Sequence, residues 1–349
     1  MDRAGADPRP PETLADLGEW ELIRRLGAFA PTGQFSDDAA LLPGRAGAGV
    51  EPGADCGALV LNTDVLVEGI HFSDATTGSA DVGWRAAATN LSDLAAMGCT
   101  EVVGLTVGLV APASTPWSWV EGVYGGLRES LDTHGGVLLG GDCSGGTQRM
   151  LAVTAIGRLD AAGGPIRRAD GRPGDLLLST GPHGLSRLGL ALLLGEIADR
   201  KVDPELIQRA ISAHRRPVPR FDAVRALIGC RPGGIAWRLG GCDSSDGLAA
   251  AVAAIAATSG CSARLDRRAL PLDPAMAALP EAGPWCLGGG EDFELVLALT
   301  PAWAKAMLEV LPGSSLIGQL VSGEAGALGW SDGGAWPLKA AGSGYSHFS

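Results

Sequence analysis

Lysine is almost missing from this chain. Of 27 basic residues only Lys201, Lys305 and Lys339 are lysines, and none sits in a glycine-rich turn. A P-loop nucleotide-binding site needs lysine in G-x-x-x-x-G-K-[ST], and a protein kinase needs one on a V-A-I-K strand, so both classes are excluded. Paired cysteines are also absent: Cys56, Cys99, Cys143, Cys230, Cys242, Cys261 and Cys286 contain no C-x-x-C and are too scattered for a zinc site. They read as buried free thiols in a reducing compartment. Apolar runs such as Leu248 to Ala257 are too short to span a bilayer, and the polar, proline-rich start from Met1 to Pro11 has no signal-peptide core. The expected location is therefore cytoplasmic, with no membrane partner. With 39 acidic residues the net charge is −12, which argues against a nucleic-acid surface. Any phosphate ligand then requires metal ions to screen it.

What the chain has in excess is glycine, 53 of 349 residues, about twice the usual ~7%. The length suits two domains. The first half alternates strand-like runs (58–62, 102–110, 136–139, 151–156) with helical periods (82–97, 119–132), after a leading helix over 18–29. Asp160 to Pro165 reads as a linker, dividing the chain into 1–160 and 161–349. The second half predicts strands at 175–180, 262–265, 295–299 and 315–320, with helices at 185–194 and 247–258. The fold class is α/β, or mixed α+β.

Aspartates recur where apolar strands end or helices begin: Asp38, Asp64, Asp93, Asp142, Asp243 and Asp246. Asp64 and Asp142 are expected at carboxyl ends of strands, where open α/β sheets bind ligands. Asn90 and Asp93 share a helix face. Asp243 and Asp246 precede a helix, where an aspartate also serves simply as a cap. Oxygen ligands without nearby Cys or His point to Mg²⁺, several ions of which could hold a triphosphate. Gly140-Gly141-Asp142 and Gly288 to Asp292 read either as turns or as anion cradles. Gly329-Trp330-Ser331-Asp332-Gly333 matches G-x-S-x-G, but no helix is expected after Ser331, so the match is read as accidental.

Longer blocks carry a resemblance: Gly18 to Ile23 (GEWELI), Ser36 to Ala40 (SDDAA), Asn62 to Phe72 (NTDVLVEGIHF), Asn90 to Gly98 (NLSDLAAMG), Arg168 to Asp175, His214 to Arg220, Ser244 to Leu248 and Gly289 to Leu295 (GGEDFEL). Over nearly its whole length the chain resembles thiamine-monophosphate kinases, of the superfamily of aminoimidazole ribonucleotide synthetase and selenophosphate synthetase. The resemblance implies two α/β domains of that superfamily's kind, the first dimerising through its sheet to make a homodimer, with ATP in the cleft. It implies Mg²⁺ ligands at Asp38, Asn62, Thr63, Asp64, Asp93, Asp142, Asp243 and Asp246, with Asp142, Asp64 and Asp93 central to catalysis. It implies ATP contacts at Tyr124, Gly141, Asp142, Arg168 and Ser245, and thiamine phosphate contacts at His71, Glu291 and Tyr345.

Departures from the family pattern are Ser36 for a glycine before Asp38, Asn62 for a hydroxyl residue, and Gly145, after Cys143-Ser144, for an arginine. None removes a carboxylate. The implied reaction is direct in-line transfer of the γ-phosphoryl group of ATP to thiamine phosphate. An anionic acceptor needs alignment and charge neutralisation more than a general base. The rivals are another ATP-using enzyme of the superfamily and a non-catalytic nucleotide-binding protein on the same scaffold. Against selenophosphate synthesis, the first cysteine is Cys56, beyond the first aspartate motif.

Overall fold

A computed structural model describes residues 13–32, 35–42, 57–197 and 202–337. The first sheet has the order β1-β2-β5-β3-β4, with β1 (Ala40–Leu42), β2 (Leu59–Val67), β3 (Cys99–Ala111), β4 (Val137–Gly145) and β5 (Met150–Leu159). Its neighbours run antiparallel except β3 and β4. Strands β2 and β5 alternate strictly in burial, and their buried residues face α2 (Ser79–Ala96), which lies beside α3 (Trp117–His134). The leading helix α1 (Leu14–Leu26) is broken at Gly18 and buries no residue.

The second sheet has the order β11-β8-β10-β6-β9-β7, formed by β6 (Leu176–Ser179), β7 (Gly240–Asp243), β8 (Ser262–Leu265), β9 (Leu295–Leu299), β10 (Ser315–Val321) and β11 (Leu328–Trp330). One face packs on α7 (Leu248–Thr258). α4 (Leu185–Leu193) and α5 (Pro204–Arg215) pair beside it. The other face, with α6 (Phe221–Gly229) and α8 (Pro301–Val310), merges with the first domain in one apolar core that runs from Leu91 and Val107 through Phe221 and Leu297 to Trp303. The expected linker after β5 is a short loop at the edge of this shared core. Among the described residues no helix is long and apolar enough to cross a membrane.

Several expectations change. β2 and β4 are longer than their apolar cores suggest, so Asp64 and Asp142 lie inside strands rather than beyond their ends. Continuous pairing causes this: β2 stays paired with β5 through Val67, and β4 with β3 through Gly145. Gly140-Gly141 is accordingly strand, not turn. A Cβ on Gly141 would lie 1.9 Å from the Val107 carbonyl oxygen, so close strand approach demands glycine there. Neither Asp243 nor Asp246 caps α7, whose N-cap Gly247 has no side-chain cap. Cys99, Cys242, Cys261 and Cys286 are buried and unpaired as expected, whereas Cys143 is exposed; Cys56 lies outside the described residues. Ser331 sits in an exposed turn after β11, without the following helix of a nucleophile elbow, which agrees with an accidental match.

Candidate active site

The site begins where α2 crosses from one sheet to the other. Its inward face carries Thr89, Asn90, Ser92 and Asp93 in one and a half turns. Asn62 on β2 donates through Nδ2 to Asp93 Oδ2 at 2.7 Å and to Asn90 Oδ1 at 3.2 Å, while Asn90 Oδ1 also accepts the Asp64 N–H at 3.2 Å. The shared face of Asn90 and Asp93 therefore locks β2 to α2. Ser92 Oγ reaches the second domain and donates to Asp243 Oδ2 at 2.7 Å, and Ser245 Oγ donates to Asp243 Oδ1 at 2.8 Å. Arg168, in the turn before β6, pairs with Asp38, and its N–H donates to Asp37 Oδ1 at 2.9 Å.

These contacts bring one carboxylate oxygen each of Asp38, Asp93 and Asp243 within 4.8 Å of one another. They line a cavity of about 550 Å³ together with Asn62, Thr63, Asp64, Arg168, Ser245 and Asp246. Trp20 and Ile23 of α1 and Ala250, Ala251 and Ala254 of α7 add apolar wall. Burial pushes Asp38 up to about 7, with Arg168 opposing and Asp243 and Asp37 adding. Burial and the charge of Asp243 push Asp64 up to about 6. Asp93 is pushed well above the usual range by burial, then by Asp64, Asp243 and Asp38. Such a cluster repels itself unless a cation enters. The donor set fits Mg²⁺: all ligands are hard oxygens, and Asn62 Oδ1 is buried without a hydrogen-bond partner.

That pressure has a measurable consequence. A carboxyl group whose pKa is raised on folding contributes stability below its unfolded value of ~3.9 and loses it as pH rises through the folded value. For Asp64 and Asp38 the loss extends to about pH 6 and 7. Metal binding relieves the repulsion only once the carboxylates are ionised. Added Mg²⁺ should therefore raise the melting temperature more at pH 8 than at pH 5. Equal shifts in calorimetry at the two pH values would remove these carboxylates from metal binding.

A second group of residues forms around Arg85, about two turns before Asp93 on α2. Glu291 follows Gly290 and has a left-handed φ of +57°. Its N–H donates to the Ser245 carbonyl at 2.7 Å, tying it to the first cluster. A Cβ on Gly290 would stand 2.8 Å from that same oxygen, so this tie also needs glycine. Burial raises the pKa of Glu291, but the Arg85 guanidinium beside it, with His71 adding, outweighs burial and holds the carboxyl below its usual value. His71 is oriented by the Val67 N–H, which donates to its Nδ1 at 3.0 Å. Its loop is held by the pairing of Glu68 with Arg149 and by Phe72 stacked on Trp119, with ring centroids 6.2 Å apart. His71 lies near enough to Glu291 to act on its charge, whereas Tyr345 lies outside the described residues. Arg85 and His214 were not singled out from sequence. The available signal was an arginine inside the apolar run of α2, together with the block from His214 to Arg220.

Asp142, Gly141 and Tyr124 do not line this cavity. Across the sheet, Asp64 pairs with Val153, Val153 with Val107 and Val107 with Gly141. Three strand spacings amount to about 14 Å. Asp142 lies one residue further on, in register with Gly108, Ala152 and Val65 on the face opposite α2. On that face the Thr63 and Thr154 hydroxyls share a hydrogen bond of 2.8 Å, Val65 is 43% exposed, and β4 is exposed along its whole length. Tyr124 is half-buried on α3, near enough to Cys143 for that thiol to add to the upward push of burial on its phenol.

Known proteins share the sequence and the fold of this chain. The AIR synthase related protein family matches in its N-terminal domain over residues 36–159 and its C-terminal domain over 172–331. A thiamine-monophosphate kinase of Prochlorococcus marinus is 46% identical over 92% of this chain and 93% of its own length. The chain belongs to the thiamine-monophosphate kinase family. A relative of that name from Synechococcus elongatus is 46% identical over 88% of this chain and 90% of its own. Among solved structures, AaThiL complexed with AMPPCP and TMP superposes with a TM-score of 0.79 at 28% identity, covering 97% of this chain and 99% of that one. The family resemblance read from the motifs is thus shown, along with its two-domain fold.

Proposed function

We propose that the chain transfers the γ-phosphoryl group of ATP directly to thiamine phosphate, giving thiamine diphosphate and ADP. The observation that carries this reading is one helix, α2, joining a multi-carboxylate cluster to the carboxylate of Glu291 in a chain with close thiamine-monophosphate kinase relatives. Asp38, Asn62, Asp64, Asp93, Asp243 and Asp246 would hold Mg²⁺, which would neutralise the triphosphate and the charge that develops during transfer; the Thr63 hydroxyl, bonded to Thr154 on the other face of the sheet, would belong with Asp142 instead. Arg168 and Ser245 contact ATP from the second domain. His71 and Glu291 bind thiamine phosphate, with Tyr345 a further contact. The acceptor is already a phosphate anion, so the residues have only to align it and offset repulsion; no phosphorylated residue is needed.

The working unit is a homodimer. Two copies meeting through their open sheet faces would set β4 of the partner alongside β1 and β2, the strands that carry the cavity. Asp142, Gly141 and Tyr124 then serve the other protomer's site. Buried, unpaired thiols suit a reducing compartment, and the proposed location is the cytoplasm.

Incubation with ATP, Mg²⁺ and thiamine phosphate, followed by mass spectrometry, should yield thiamine diphosphate with matching ADP. Folded protein that releases no ADP in response to thiamine phosphate would refute the reading. For the acceptor site, Glu291→Gln should lower kcat/KM for thiamine phosphate by about 10- to 150-fold, the equivalent of ~1.5–3 kcal/mol for a charge-assisted hydrogen bond. Asp64→Asn should instead weaken Mg²⁺-dependent ATP binding measured without acceptor. Equal weakening of ATP binding by both substitutions would place Glu291 in the metal cluster.

A further inference from the structure

Arg85 is a charged side chain removed from bulk solvent. It is 1% exposed in the middle of α2, and it crosses to the second domain. Its Nη2 donates to Glu291 Oε1 at 2.6 Å, its Nη1 donates to the His214 carbonyl, and its Nε is buried without a partner. The other oxygen of Glu291 lies 3.6 Å from His214 Nδ1. Burial, with Arg85 adding, pushes His214 down to about 4, so that ring is neutral at pH 7 and Arg85 supplies the positive charge beneath Glu291.

The same helix carries Asp93 eight residues further on, a separation of about 12 Å along the axis. Two nitrogens of one planar guanidinium grip Glu291 and the end of α5, so the carboxylate is fixed in direction as well as distance relative to α2. Glu291 needs such a grip, because a non-glycine residue at φ +57° persists only where its surroundings impose that conformation.

We infer that Arg85 is a positioning residue for the acceptor: acting only through Glu291, it sets the place of the thiamine-binding carboxylate relative to the metal carboxylates on the same helix. The inference rests on the proposed reaction and on Glu291 contacting the acceptor. Arg85 is too buried to touch a ligand itself. Its carboxylate partner is the natural neighbour of a cationic heterocycle such as a thiazolium. α2 acts as a ruler, with the acceptor held near Arg85 and the phosphates of the donor near Asp93.

The test is a double-mutant cycle in the full chain, comparing Arg85→Gln, Glu291→Gln and the two combined, with Arg85→Lys as the conservative variant. Steady-state rates are measured against thiamine phosphate at saturating ATP, and ATP binding is measured without acceptor. Arg85→Gln should lower kcat/KM for thiamine phosphate on the order of 100-fold, as a misplaced reactant does, while ATP binding holds. Arg85→Lys should recover part of that loss by restoring charge without the fork. The combined variant should be no worse than Glu291→Gln alone, since Arg85 then has nothing left to position. Losses that add in the combined variant, or an equal fall in ATP binding, would overturn the inference. If Arg85→Gln does not fold, Arg85→Lys in the wild-type and Glu291→Gln backgrounds supplies the same comparison. Wild-type protein that makes no thiamine diphosphate defeats the proposed reaction; an active wild type with additive losses defeats only the role of Arg85.

Discussion

Asp93→Asn should lower turnover by about 100- to 1000-fold, the usual loss when one element of a preorganised electrostatic site is removed, and should raise the melting temperature of the metal-free chain. Both effects come from the same crowding. Asp93 is buried against Asp64, Asp243 and Asp38, which all push its pKa up, so its charge is unfavourable until a cation arrives. Asparagine keeps the shape and still accepts the hydrogen bond from Asn62 Nδ2 through its own amide oxygen. It removes one repelling charge from the folded state and one ligand from the metal site. Calorimetry without metal and turnover at saturating Mg²⁺ measure the two effects separately. Near-normal turnover would show that Asp93 is not a required ligand, and a lower melting temperature would show that the cluster is not self-repelling.

Asp142→Asn should likewise abolish most turnover, and mixing it with Asp93→Asn protein should restore activity that neither variant has alone. The reasoning is geometric. In one chain Asp142 stands about three strand spacings, roughly 14 Å, from Asp64 and on the other face of the sheet, too far to share an ion with it. In a homodimer joined through that open face, one site of each mixed dimer would receive an intact Asp93 from its own chain and an intact Asp142 from the partner. Refolding the two variants together and assaying ADP release gives the answer. A mixture as inactive as its parts, in dimers shown to have exchanged subunits, would return Asp142 to its own chain's site. Asp142→Asn with full turnover would remove it from the metal set.

The positions of strands β8 and β9 were legible almost to the residue, because each is a short apolar or alternating run bounded by turn residues. β1 and β7 were not. Each has few residues and little periodicity, and exists because a neighbouring strand offers unpaired backbone: β2 beside Ala40–Leu42, β9 beside Gly240–Asp243. In the site, the pairing of Asn90 with Asp93 followed from helical spacing alone. Asn62 as an oxygen ligand was implied by the family resemblance, and its unpartnered Oδ1 is where that implication points. Arg85 stood out only as an arginine inside an apolar run, which does not say what it meets; its partner is 206 residues away.

From the residues themselves came the chemistry: almost no lysine, hard oxygen ligands in repeated motifs, and blocks long enough to name a family. Those properties are local, set by side-chain type and spacing, and survive without coordinates. Tertiary structure alone decided which carboxylates meet. It gathered Asp38, Asp93 and Asp243 from three separate segments into one cluster and left Asp142, equally an aspartate, on the outer face of an edge strand. Strand order and register determine that division. Side chains alternate between faces along a strand, and neighbouring strands add nearly 5 Å each, so which carboxylates come together depends on pairing partners distant in sequence.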